Sequence, residues 1–132
     1  METCKYCLVI GGSGVLGSSI VKVFKNNNSN WKICCIDKIE NKEADKNIVI
    51  KLENKLNEEF VLNVYKEVEN FTNKFGVIIN VSEGWVKGSL KSIEIFSQSE
   101  EMLNINYYSS LLGKINFYYL VQLRIWLLNI CL

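Results

Sequence analysis

The chain of 132 residues contains no proline and no histidine, one alanine (Ala44) and one arginine (Arg124), against heavy use of asparagine, lysine and isoleucine. Without histidine, imidazole is excluded as a general base, a proton shuttle or a metal ligand. An average protein carries roughly 5% proline. Its absence goes with the scarcity of other residues that have GC-rich codons, which reads as the mark of an AT-rich genome. The run "NNNSN" at 26–30 is a loop inflated by the same bias. Fifteen basic residues against fourteen acidic ones leave a net charge of +1. With no basic block and no acidic tail, neither nucleic acid nor an anionic membrane surface is an expected partner. The length allows one domain with a core of its own.

Five cysteines are present, and Cys4-x-x-Cys7 has the spacing of a zinc or redox pair, with Cys34 and Cys35 as further thiols. A redox pair of this type follows a strand and opens a helix, whose N-terminus lowers the thiol pKa. Here the pair precedes a strand, and no second C-x-x-C completes a metal site. Reduced, buried strand cysteines are expected, and no metal.

Along the chain, apolar runs alternate with helical stripes. Tyr6–Ile10 is a short apolar run that stops at glycines, and Val15–Phe24 has the apolar spacing of a helix. Trp31–Ile36 reads as a second buried strand and the polar stretch 38–46 as a solvated loop or short helix. Asn47–Leu52 follows as a third strand, Leu56–Lys74 as an amphipathic helix, and "VIINV" after Gly76 as a fourth strand. A helix is predicted over Ile93–Leu112. This order implies an α/β, Rossmann-like, doubly wound parallel sheet, incomplete at about four strands of the usual seven.

The stretch "LVIGGSGVLG" carries Gly12-x-Gly14-x-x-Gly17, with Gly11 ahead of it, and holds half of the chain's eight glycines. The early glycines permit a tight turn and close approach of backbone to a pyrophosphate, and the last lets the helix pack on the strand. The helix N-terminus then offers free N–H groups to the phosphates. Asp37 ends the second strand twenty residues past Gly17, where a carboxylate can accept both hydroxyls of an adenine ribose. It would repel a 2′-phosphate, and Lys38 is the only nearby cation. The expected cofactor is NAD(H), preferred over NADP(H). Taken singly, the loop is a plain strand–helix turn and Asp37 a strand-end residue.

The runs "VIGGSGVLGSSIV", "IDKIENKEADKNIVIK" and "NVSEGWVKGSLKS" together resemble the quinoid dihydropteridine reductases, members of the short-chain dehydrogenase/reductase superfamily, from about Cys7 to about Leu112. The D-x-x-E-N-x-E-A run at 37–44 and the G-W-x-x-G run at 84–88 are the most specific parts. The resemblance implies an NADH-dependent, homodimeric reductase that returns quinonoid dihydropterin to tetrahydropterin, as in tetrahydrobiopterin regeneration. It puts Gly11, Gly12, Ser13, Gly14, Leu16 and Gly17 on the pyrophosphate loop and Asp37 on the ribose. It puts Asn80–Gly84, with Val81, Ser82 and Gly84, on the turn facing the cofactor. Trp85 falls where a ring can stack on the flat pterin substrate; a loop-anchoring core role is the alternative.

Three departures stand out. The turn reads Val81-Ser82-Glu83 where the superfamily has N-A-G, with Glu83 unexplained unless it faces solvent. Asn54 replaces the expected adenine-binding aspartate, and Asn106 lies near the superfamily's helical asparagine without being assigned a catalytic role. No tyrosine is followed by lysine four residues on: positions 10, 69, 111, 112, 122 and 123 hold Ile, Glu, Leu, Leu, Gln and Leu. The superfamily's Tyr-x-x-x-Lys pair supplies the proton, so no catalytic residue is assigned and these residues are expected to be inactive alone. The domain reading is 1–112 as the NAD-binding part and 113–132 as an apolar tail, expected to be the aberrant end of a truncated chain. The homodimer contact is not expected without the helix that bears the pair. The tail nears the length of a membrane span, but Asn116, Gln122, Arg124 and Asn129 argue against one, and no membrane partner is expected. A cytoplasmic location is expected because the N-terminus runs into the fold without a leader. Alternatives are a non-catalytic NAD(H)-binding or interaction module, and a fragment of another short-chain oxidoreductase.

Overall fold

Each of the four predicted apolar runs forms a parallel strand, and the chain between them crosses over as helix or loop. A computed structural model describes residues 4–27, 30–51, 57–120 and 127–129. In order, the elements are β1 (Lys5–Ile10), α1 (Val15–Asn26), β2 (Trp31–Asp37), β3 (Lys46–Val49), α2 (Glu58–Phe71) and β4 (Val77–Asn80). They continue with α3 (Ile95–Met102), a π-helical segment (Leu103–Tyr108), α4 (Ser109–Leu120) and β5 (Leu127–Asn129). The sheet order is β3-β2-β1-β4-β5, all parallel. The fifth strand is short and comes from the apolar tail, in which no strand was expected. It pairs with β4 through Ile78↔Leu127 to Asn80↔Asn129, covering backbone groups that would otherwise form an open edge.

Both faces of the sheet are buried, as parallel strands with crossovers require. Successive residues of β1 point to opposite faces. Leu8 and Ile10 join Cys34, Ile36, Ile48 and Ile78 in a core capped by Val64 and Val68 of α2 and Leu112 of α4. Cys7 and Val9 join Ile33, Cys35 and Ile79 under Val21 of α1. The apolar runs of β1 and β2 follow directly, since Cys7–Ile10 and Ile33–Ile36 are buried on both faces while Lys5 and Lys32 at the strand starts are exposed. At the rims, Phe24 packs edge-on against Trp31 (4.9 Å) and Tyr6 against Phe71 (5.5 Å).

Element ends differ from the sequence reading for identifiable reasons. β3 stops at Val49 because its partner strand ends at Asp37, opposite Val49. α2 opens at Asn57, whose side chain accepts the Phe60 N–H at 2.8 Å as an N-cap; the predicted start at Leu56, like Asn54, lies outside the described residues. The helix predicted over 93–112 is α3, the π segment and α4 in succession, passing through Gly113 to Leu120. Among the described residues no helix is long and apolar enough to cross a membrane.

One polar cluster ties the α1 end of the molecule together. Asp45 accepts the Ile33 N–H at 2.8 Å and the ammonium groups of Lys25 at 2.5 Å and Lys32 at 3.2 Å. Burial works against its charge, but the Lys25, Ile33 and Lys32 donors outweigh it and hold the carboxyl below its ordinary value. A depressed folded pKa gives stability that is present above the ordinary carboxylate range and is lost as pH falls through the folded value. Asp45→Asn is therefore expected to cost about 1 kcal/mol at neutral pH, a modest figure because water screens the cluster. Thermal unfolding at about pH 7 and about pH 3 checks this, and the gap between wild type and variant should narrow at the lower pH.

Candidate functional site

The sheet order reverses at β1, whose own crossover leads to β2 on one side while β4 lies on the other. Ligands of open α/β sheets bind at such a switch point, beyond the carboxyl ends of the strands. Two turns meet there. The glycine loop leaves β1, and the 81–84 turn leaves β4, with the Val81 N–H donating to the Ile10 carbonyl at 2.9 Å. Gly11 has φ +82°, a left-handed conformation that favours glycine. A Cβ there would also lie 2.6 Å from the Ser82 nitrogen. Gly12 is packed against the Cys35 side chain beneath it, and Gly17 against the Gly11 carbonyl. Gly14 is the N-cap of α1; no side chain caps that end and no acid occupies its first turn. Leu16 is partly exposed on that turn. The start of α1 thus has neither a side-chain cap nor an acid in its own first turn, which suits an anion.

Asp37 stands beside this loop at the end of β2. Its Oδ2 accepts the Ser13 N–H at 2.8 Å and its Oδ1 the Lys38 N–H at 2.7 Å. The Ser13 hydroxyl donates to the Ile39 carbonyl at 2.6 Å. Loop and acid, separate in sequence, are thus one hydrogen-bonded unit. A carboxylate takes about four hydrogen bonds, so two acceptor positions remain for a ligand.

The stretch 38–46, expected to be solvated, contains a buried residue. Asn41 is 8% exposed, and its amide Nδ2 donates to the Gly12 carbonyl at 2.7 Å. Its Oδ1 accepts the Glu43 N–H, and its backbone exchanges hydrogen bonds with the Asn47 side chain at 2.9 and 3.0 Å. Sequence reasoning assigned Asn41 no role, although it stands in the E-N-x-E-A run; a polar residue in a polar loop gives no local sign of burial.

On the β4 side, Ser82 donates its N–H to the Asn80 Oδ1 at 3.1 Å, and Asn80 Nδ2 donates to the Ser110 hydroxyl at 3.1 Å. Val81 is buried and Gly84 partly so, whereas Glu83 is exposed, which accounts for a carboxylate at this turn. Asn106, weighed and left unassigned in the sequence, grips Gly84 twice: its Oδ1 accepts the Gly84 N–H at 3.2 Å and its Nδ2 donates to the Gly84 carbonyl at 3.0 Å. It lies in the π segment, a distortion frequent at functional sites. Trp85, next in the chain, is 76% exposed and so is no core anchor. It lines an open groove of about 480 Å³ with Val86, Gln98, Met102 and Tyr107.

Cys4 is exposed, while Cys7, Cys34 and Cys35 are buried and free. Burial pushes each of the three thiols up to about 12, so they are neutral near pH 7 and are not nucleophiles.

No protein-family model matches the chain. It is 33% identical over 106 residues to the dihydropteridine reductase of Dictyostelium discoideum, covering 80% of this chain and 44% of that protein. Its fold matches the ligand-free aldohexose dehydrogenase of Thermoplasma acidophilum with a TM-score of 0.75 at 17% identity, covering 95% of this chain and 48% of the other. A short-chain dehydrogenase of Leptospira borgpetersenii, solved with bound NAD+, matches with a TM-score of 0.67 at 18% identity, over 86% of this chain and 44% of the other. The chain spans about half the length of these relatives. The resemblance carried by the glycine loop, the 37–44 run and the G-W-x-x-G turn therefore holds over four-fifths of the chain, which is similar in sequence to a dihydropteridine reductase and in fold to the short-chain dehydrogenases.

Proposed function

We propose that this chain is the NADH-binding half of a cytoplasmic reductase that converts quinonoid dihydropterin to tetrahydropterin. The observation that carries the reading is Asp37, joined through the Ser13 N–H to the glycine loop at the switch point. Pyrophosphate would rest on Gly11, Gly12, Ser13, Gly14, Leu16 and Gly17, and the adenine ribose on Asp37. The turn Val81, Ser82 and Gly84 would face the nicotinamide half, and Trp85 the flat pterin ring. The fit is supported by the uncapped start of α1 and by Gly11, Gly12 and Gly17, whose close packing on Ser82, Cys35 and the Gly11 carbonyl brings the loop backbone tight against the switch point. The nicotinamide supplies the hydride when bound. The chain's own part is to hold and orient the cofactor, because no tyrosine among these 132 residues has lysine four positions on.

That same feature favours a second reading, a non-catalytic NAD(H)-binding module. Titration of the purified chain with NADH, NADPH and a tetrahydropterin, followed by tryptophan fluorescence, tests both. Saturable NADH binding with weaker NADPH binding is expected, and a pterin response belongs only to the first reading. A chain that saturates with neither nucleotide ends both.

A further inference from the structure

We infer that Asn41 is a positioning residue that sets the cofactor-binding acid through a single peptide plane; the inference rests on the NADH reading above. The Gly12 carbonyl and the Ser13 N–H belong to one peptide unit. The Asn41 Nδ2 donates to the carbonyl at 2.7 Å, and the Asp37 Oδ2 accepts from the N–H at 2.8 Å. A trans peptide is planar, with its C=O and N–H opposed. Fixing the carbonyl therefore fixes the direction in which the N–H points at Asp37. Asn41 is itself immobilised, through the Glu43 N–H on its Oδ1 and the paired hydrogen bonds with Asn47.

Among the described residues, one other group reaches the Gly12 carbonyl: the Ser18 hydroxyl, but at 3.5 Å, the limit of a hydrogen bond. Gly12, lacking a side chain, offers little resistance to rotation of the plane. Without the Asn41 amide the plane can turn, the Ser13 N–H leaves Asp37, and the carboxylate loses its set orientation toward a ribose. Asn41 would thus affect NADH without touching it.

The test is a double-mutant cycle on the full chain, read by NADH titration with circular dichroism as the folding control. Asn41→Ala is expected to weaken NADH binding about tenfold in the wild-type background and less than about twofold in the Asp37→Ala background, since residues acting through one another are not additive. Equal factors in both backgrounds overturn the inference, because a merely structural role would weaken binding regardless of Asp37. A wild type that binds no NADH sinks the cofactor reading instead. The clamp is then judged by hydrogen exchange of the wild-type protein, which also serves if Asn41→Ala does not fold. Slow exchange at the Ser13 amide and the Asn41 side-chain amide is expected, and random-coil rates at either overturn it.

Discussion

Gly17→Ala should both destabilise the fold and weaken cofactor binding at least about tenfold, whereas Gly14→Ser should leave stability unchanged or raise it. The motif treats these glycines alike, but their surroundings do not. A Cβ on Gly17 would overlap the Gly11 carbonyl oxygen and lie 2.8 Å from both the Gly11 carbonyl carbon and the Gly12 Cα. Those atoms are all backbone, so no side chain can swing aside. Either α1 lifts from the sheet or the loop is pushed out, at the roughly 1–3 kcal/mol typical of overpacking a tight site. For a domain of this size that amounts to a fall of roughly 4 °C in Tm per kcal/mol.

The same displacement carries the α1 N-terminus away from the crevice, and its field on an anion fades within one turn. Loss of NADH affinity by at least about tenfold should accompany the fall in Tm. At Gly14, φ is −69° and a Cβ would find its nearest neighbour, the Gly11 carbonyl, at 3.5 Å, an ordinary contact. Serine there can cap α1, where glycine cannot. Thermal unfolding of the two variants beside wild type decides the matter, and equal Tm losses would refute the packing argument.

What the sequence revealed and what it hid divide along a physical line. Features encoded by residues close in the chain were legible: the apolar runs of β1, β2 and β4, the glycine loop opening α1 at Val15, and the acid at the end of β2. Features made by contacts between distant segments were not. Asn41 looks like any polar loop residue until the fold brings Gly12, twenty-nine positions away, onto its amide. The π segment has no local signature, since its asparagine is satisfied by Gly84, twenty-two residues back. The exposure of Trp85 also depends on how the loop is pinned, with the Gly84 backbone held by Asn106 and the Val86 N–H directed at the Met102 sulphur. The third strand was read too long because its length is set by its neighbour's end and not by its own composition.

Asp37→Ala should weaken NADH binding by about 1–3 kcal/mol, the scale for hydrogen bonds lost to a charged group. The carboxylate already accepts the Ser13 and Lys38 N–H groups, and of its roughly four acceptor positions two are left. Two is also the number that the 2′- and 3′-hydroxyls of an adenine ribose require. A 2′-phosphate instead brings negative charge against negative charge, with Lys38 as the only cation beside it in the chain. The variant should therefore lose NADH affinity without losing NADPH affinity to the same degree, so the preference between the two narrows. Alanine also strips the Ser13 N–H of its acceptor, which could disturb the loop on its own account. Asp37→Asn separates the effects, since its carbonyl oxygen still accepts the Ser13 N–H while the charge is gone. With the loop intact, Asp37→Asn should retain more NADH affinity than alanine, yet narrow the NADH preference as much. Titration of the three proteins with both nucleotides gives the answer: unchanged NADH affinity in Asp37→Ala removes the ribose from Asp37, and an unchanged preference in Asp37→Asn removes charge as its cause.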